Sequence, residues 1–201
     1  MALRQRTSCC KRAGERRRRL KCDRIALKYL RILYWNIASI HQRRPILQKL
    51  LYGNDIIVLQ ETRLRSETVR EPGFQCFHNR QHLGQAILVR DDIPVSEVDM
   101  SEWNSGSLQV HAIRVTAPVQ LVVVNVYACN GVVDTSQWQS LFDLDERNVI
   151  YCGDWNARGS DWGNTITNKQ GDDLEDALFS AILVCLNNGE ITRMTARPGD
   201  Q

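Results

Sequence analysis

The chain has no long apolar run at its start. The leader MALRQRTSCCKRAGERRRRLKCDR contains nothing that could serve as the core of a signal peptide or as a membrane span. Secretion is therefore not expected, nor is a membrane partner. The 7 cysteines, without such a signal, read as free thiols of a reducing compartment. Cys9, Cys10 and Cys22 lack a second Cys or His pair at zinc-finger spacing, which argues against a metal knuckle. There is no internal repeat, and no low-complexity tract beyond the leader. No histidine follows His111.

What is present is a charge asymmetry and enough apolar material for one core. The 201 residues are 43% hydrophobic, the size and make-up of a single globular domain. The net charge of +3 conceals its distribution: residues 1–31 hold 12 Lys/Arg against 2 Asp/Glu, and residues 32–201 hold 14 against 21. Residues 1–24 form a basic leader that should be disordered, and residues 25–201 form an acidic domain. Arg16, Arg17, Arg18 and Arg19 read either as a nuclear-import or nucleic-acid patch, since clustered cations release counterions from phosphates, or as a solvated charge run.

Behind the leader, short apolar runs alternate with turn signals. LRILYW (30–35) and DIIVLQ (55–60) read as strands, and Ile46, Leu47, Leu50 and Leu51 between them recur at helical spacing. Pro45 should open that helix and Gly53-Asn54 close it. FQCF, QAILV, LQVHAIRV and VQLVVVNVY then read as strands of an antiparallel meander. A short helix near Trp138–Phe142 precedes VIYC, which looks like a strand buried on both faces. Asp172 with Glu175 forms a capping box for a helix carrying Leu174, Ala177, Leu178 and Ala181. ILVCL (182–186) either extends that helix or, fitting somewhat better, forms a strand turned by NNG. Sheets with helices outside make an α/β or α+β sandwich.

Polar groups stand where three of these strands end. Asn36 follows ILYW, Glu61 follows IIVLQ, and Asp154 with Asn156 follow VIYCG in the run NVIYCGDWNARGSDWGN. Strand ends can bring side chains to one pocket while their backbones stay fixed. Carboxylates and carboxamides together form the oxygen-rich set a hard cation such as magnesium prefers. Such a cation with a nearby acid suits phosphoryl chemistry. The competing reading is three unrelated strand caps, since Asn and Asp commonly begin turns.

In order along the chain, LYWNIASI, DIIVLQETRL, QAILVRDDIPV, LVVVNVYACNG and VIYCGDWNARGSDWGN resemble the endonuclease/exonuclease/phosphatase superfamily, which includes DNase I and the apurinic/apyrimidinic endonucleases. Within it they look most like the endonuclease domain of non-LTR retrotransposons of the jockey/R1 type. GDxN followed closely by WG is the most specific sign. The resemblance spans about residues 30–197.

It implies a four-layered α/β sandwich, DNase I-like, and a magnesium-dependent endonuclease that nicks DNA. Asn36 and Glu61 would sit at the metal, Tyr127 would contact or polarise the scissile phosphate, Asp154 would orient or deprotonate the attacking water, and Asn156 would hold that water or the phosphate. Thr192 matches a position expected against the DNA backbone. The competing reading of Tyr127 is a strand aromatic packed against the core, and Trp155 and Trp162 read as packing residues. Trp155 replaces the family's usual phenylalanine, and Cys129 stands where proline is common.

The family's late Ser-Asp-His block and an Asp in an IDxx strand are not reached before the sequence ends. The domain is therefore expected to be incomplete at its C-terminus, missing its last strands, with weak or no activity. Of the 4 histidines, His111 falls in an expected strand and His41, His78 and His82 in loops, and none is given a catalytic role. A reverse transcriptase is the partner domain expected in a complete element, and the nucleus is the expected location. The alternatives are an apurinic/apyrimidinic endonuclease or other phosphodiesterase of the same superfamily, and an inactive nucleic-acid-binding fragment.

Overall fold

The computed structural model describes residues 29–64, 68–129, 132–187 and 189–190. The leader with Arg16–Arg19, and Thr192, lie outside the described residues.

The elements are β1 (Ile32–Asn36), α1 (Ile40–Leu50), β2 (Ile56–Gln60), β3 (Phe74–Asn79), β4 (Gln85–Arg90), β5 (Val95–Val98), β6 (Leu108–Val115), β7 (Leu121–Ala128), α2 (Thr135–Phe142), β8 (Val149–Asp154) and α3 (Lys169–Ser180). They build two four-stranded sheets, of order β1-β2-β4-β3 and β5-β6-β7-β8. The α/β class and the paired sheets are those expected. The meander is not: β3 and β4 join the first sheet, and β6 and β7 the second. Alternation along a strand fixes which face is buried but not which neighbour it pairs with, so β3, β4, β6 and β7 could not be sorted by pattern.

The chain divides into two compact units. One runs to Asp99 and adds His111–Asn125 and Asn148–Gly153; the other comprises Met100–Val110, Val126–Arg147 and the residues from Asp154 onward.

In the first unit β1 and β2 are parallel, Ile32 opposite Ile56 and Asn36 opposite Gln60, with α1 as the crossover that parallel pairing requires. The unbroken apolar run of β2 is buried along its whole length because both of its faces are covered. Ile56 and Val58, with Ile87 and Val89 of β4, meet Ile113, Val115 and Val123 of the second sheet. Ile57, Leu59, Ala86 and Leu88 pack instead with Ile37, Ile40, Leu47 and Leu51 around α1. Each fully buried Ile or Leu contributes about 1.5–3 kcal/mol.

Pro45 lies inside α1 rather than opening it. The helix starts earlier because tertiary hydrogen bonds hold its entry: the Ile37 N–H donates to the Gln60 carbonyl at 3.0 Å and the Ile40 N–H to that of Thr62 at 3.1 Å. Ile46, on the expected apolar stripe, is instead 52% exposed. The short β5, VSEV, gave too little apolar signal to be expected. β8 is half-buried throughout, not buried on both faces.

In the second unit Asp134 caps α2 through a capping box with Gln137. Trp138 stacks on Phe142 with centroids 5.9 Å apart and meets Trp155 at 5.5 Å, which gives Trp155 the packing role expected of it. α3 begins three residues before Asp172, because Asn168 and not Asp172 supplies the cap. Residues 183–187 form neither strand nor helix, and Ile182, Val184 and Leu186 are 91%, 80% and 82% exposed. No helix among the described residues is long and apolar enough to cross a membrane.

Candidate active site

Two carboxylate–carboxamide pairs stand at strand ends, one in each unit. In the first, Asn36 closes β1 and Glu61 follows β2, so the parallel register sets them side by side. Asn36 Nδ2 donates to Glu61 Oε1 at 3.0 Å, and Asn36 Oδ1 accepts from the Ala38 N–H at 3.2 Å. Arg63 Nη2 donates to Glu61 Oε2 at 3.2 Å.

The backbone here is strained. Ala38, Glu61 and Arg63 have φ of 52°, 50° and 55°. Left-handed non-glycine residues cost roughly 1–3 kcal/mol each and gather at functional sites. Long-range bonds hold them: the Thr62 N–H donates to the Gly84 carbonyl at 3.1 Å and the Arg63 N–H to that of Leu83 at 2.8 Å. Gly84 has φ of +80°, and a Cβ there would come within 2.6 Å of Thr62 Oγ1.

Behind Glu61 lies a buried carboxamide network that the sequence reading missed. Gln60 Nε2 donates to Asn125 Oδ1 at 2.6 Å, Asn125 Nδ2 to the Leu59 carbonyl at 3.0 Å, and Gln85 Nε2 to the Asn125 carbonyl at 3.1 Å. Gln60 and Asn125 are fully buried and Gln85 is 1% exposed. The signal was available, since VVVNV carries a lone polar residue in an apolar strand.

In the second unit Asp154 ends β8 and Asn156 follows at φ of 49°. The Asn156 N–H donates to Asp154 Oδ1 at 3.3 Å, closing the turn. Asn156 Nδ2 donates to the Ala128 carbonyl at 2.8 Å, which ties the GDWN segment to the residue after Tyr127. Tyr127 itself is 4% exposed on β7.

A cation has a limited donor set here. Among the described residues no three His, Cys, Asp or Glu side chains gather as a metal cluster. Glu61, with the Asn36 carboxamide, fits an ion that takes one carboxylate and fills its other positions with water and phosphate, which describes magnesium and not zinc.

The histidines are placed differently from the expected loops in two cases: His41 is in α1 and His78 in β3. His78 extends the strand begun by FQCF, and His41 lies in the helical turn that starts ahead of Pro45. His111 lies in β6 as expected, 5% exposed, its Nε2 2.9 Å from Glu97 Oε1. His82 is in the loop between β3 and β4.

Each unit thus ends a strand in an acid held by a hydrogen bond beside a left-handed backbone, in an α/β fold of two mixed sheets. Residues 33–201 match the Endonuclease/Exonuclease/phosphatase family, and the chain belongs to it. Members and structural neighbours of this family are nucleases and phosphatases. In sequence the chain is 24% identical over 176 residues to the probable RNA-directed DNA polymerase from transposon BS of Drosophila melanogaster. That match covers 82% of this chain and 19% of the relative, so the chain spans about a fifth of the relative's length. In structure it is similar to the endonuclease domain of TRAS1, a telomere-specific non-LTR retrotransposon, with a TM-score of 0.60, 20% identity, and coverage of 80% of this chain and 76% of that one. It is also similar to a variant of the 3′ phosphatase NExo from Neisseria bound to product DNA hairpin, with a TM-score of 0.53, 23% identity, and coverage of 74% and 71%. Both likenesses are of fold.

Proposed function

We propose that the chain is the endonuclease of a non-LTR retrotransposon, which hydrolyses one phosphodiester of duplex DNA with magnesium and leaves a 3′-hydroxyl able to prime reverse transcription. Family membership supports the reaction class. The observation that carries the site is the 3.0 Å bond between Asn36 and Glu61, which joins residues 25 apart on the two strand ends where a phosphoesterase would bind its ion.

Glu61, oriented by Asn36, would hold the magnesium, whose charge polarises a phosphoryl oxygen and offsets charge in the transition state. Asp154 accepts the proton of the attacking water, and its turn with Asn156 keeps the carboxylate directed as the base. The Asn156 carboxamide holds the water or phosphate. The Tyr127 hydroxyl hydrogen-bonds the scissile phosphate. Thr192 and Arg16–Arg19 would contact the DNA backbone, and the arginines would also direct nuclear import. The partner is DNA, with a reverse transcriptase in the same element.

The test is a supercoiled-plasmid nicking assay in magnesium, run beside Glu61→Gln and Asp154→Asn. Slow, chelator-sensitive nicking is expected, lowered by about 10²-fold or more in each variant. A folded chain that does not nick, or nicking that survives both substitutions, would overturn the proposal. A strong preference for an abasic over an intact duplex would assign the chain to repair-type chemistry instead.

A further inference from the structure

The segment Asn168–Gly171 does more than start α3. Asn168 Oδ1 accepts from the Gly171 N–H at 2.8 Å, which is ordinary helix capping. The same oxygen also accepts from the Arg158 N–H at 2.8 Å, and the Asn168 N–H donates to the Arg158 carbonyl at 3.0 Å. Asn168 Nδ2 donates to the Asn156 carbonyl at 3.2 Å. Capping needs only the first of these bonds. The others end on the backbone that follows Asp154.

Gln170 works from the same turn. It is 6% exposed; its Nε2 donates to the Trp155 carbonyl at 2.5 Å and its Oε1 accepts from the Val133 N–H at 3.1 Å. Gly171 lets the helix come this close, since a Cβ there would overlap the Arg158 carbonyl oxygen.

Asn156 needs such restraint. At φ of 49° it occupies a region that asparagine tolerates but does not prefer over extended or helical backbone. Its N–H is held by Asp154, its side chain by the Ala128 carbonyl, and its own carbonyl by Asn168. The first two restraints belong to the proposed site; the third comes from outside it.

We infer that Asn168 is a positioning residue of the nuclease, fixing Asn156 in its left-handed conformation through the Nδ2–carbonyl bond, with Gln170 steadying the adjoining Trp155 peptide. The inference rests on the roles proposed for Asp154 and Asn156. The two functions of Asn168 use different atoms, so one substitution separates them. Asn168→Asp keeps an oxygen for Gly171 and Arg158, and aspartate caps as well as asparagine, but it has no donor for the Asn156 carbonyl.

The experiment compares wild type, Asn168→Asp and Gln170→Glu by urea unfolding, by amide hydrogen exchange over residues 154–158, and by nicking kinetics in magnesium. For Asn168→Asp the unfolding midpoint should stay put, exchange at residues 156–158 should rise about tenfold, and kcat should fall about tenfold at unchanged KM. Gln170→Glu, which keeps the acceptor for Val133 and loses the donor to Trp155, should speed exchange at the same residues. Unchanged exchange in Asn168→Asp would reduce it to a cap and overturn the inference. So would intact kcat with a raised KM, the signature of charge repulsion from DNA. If wild type does not nick, the proposed function falls, and the exchange comparison still decides whether Asn168 positions Asn156.

Discussion

Replacing Asn125 with leucine should destabilise the chain far more than its size suggests. The side chain is fully buried, so water cannot replace its partners. The substitution removes the bond donated to the Leu59 carbonyl and the acceptor that serves Gln60 Nε2 at 2.6 Å. Two neutral hydrogen bonds contribute about 1 kcal/mol each, and the stranded Gln60 amide adds a desolvation cost of about 1–3 kcal/mol. Burial of the leucine offsets part of this, leaving a loss of about 2–4 kcal/mol. With a urea slope near 2 kcal/mol/M for a domain of this size, the midpoint should drop by about 1–2 M. The sharper prediction concerns the double variant Gln60→Leu/Asn125→Leu. Removing both side chains leaves no stranded Gln60 amide, although the bond to the Leu59 carbonyl stays lost, and Gln60 Oε1 already finds no partner among the described residues. The double variant should therefore be more stable than Asn125→Leu alone, by about 1 kcal/mol or more. Urea unfolding followed by circular dichroism measures both. A midpoint shift below about 0.3 M for the single variant, or a double variant less stable than the single, would refute the reasoning.

Gly171→Ala would normally gain helix propensity of about 1 kcal/mol. Here the new Cβ collides with the Arg158 carbonyl oxygen, so thermal unfolding should show a net loss of about 2 kcal/mol, and a raised Tm would contradict it. Stability should also fall in mild acid because of His78, whose pKa burial holds below its ordinary value, with a further lowering from Arg80 and His111. The unfolded chain then takes up a proton before the fold does, so this contribution is whole above about pH 6.5 and is lost as pH drops through the folded value. Glu97, lowered chiefly by its hydrogen bond to His111, acts in the same direction in more acid solution. The urea midpoint should be lower at pH 5.5 than at pH 7.5, and His78→Leu should flatten that difference; an unchanged slope in His78→Leu would exclude His78 as the source.

The apolar blocks of this sequence determined its strands. ILYW, IIVLQ, QAILV and LVVVNVY lie where β1, β2, β4 and β7 formed, because a branched run that can be covered on both faces has few alternatives to a buried strand. The polar residues closing those runs were equally plain, and Asn36 and Glu61 became neighbours because parallel pairing aligns strand ends. Other features rest on partners distant in sequence, and no local pattern carries them. The helix α1 passes through Pro45 because the backbone of residues 60–62 holds its first turn. The cap of α3 fell to Asn168 rather than Asp172 because the Arg158 backbone lies against it. Glu61 and Asn156 adopt left-handed conformations that neither residue favours alone. Such strain persists only where surrounding bonds over-determine it. The sequence by itself determined which polar residues close the strands; the tertiary structure decided how they are held, since a strained backbone is maintained by hydrogen bonds that exist only once the chain has folded.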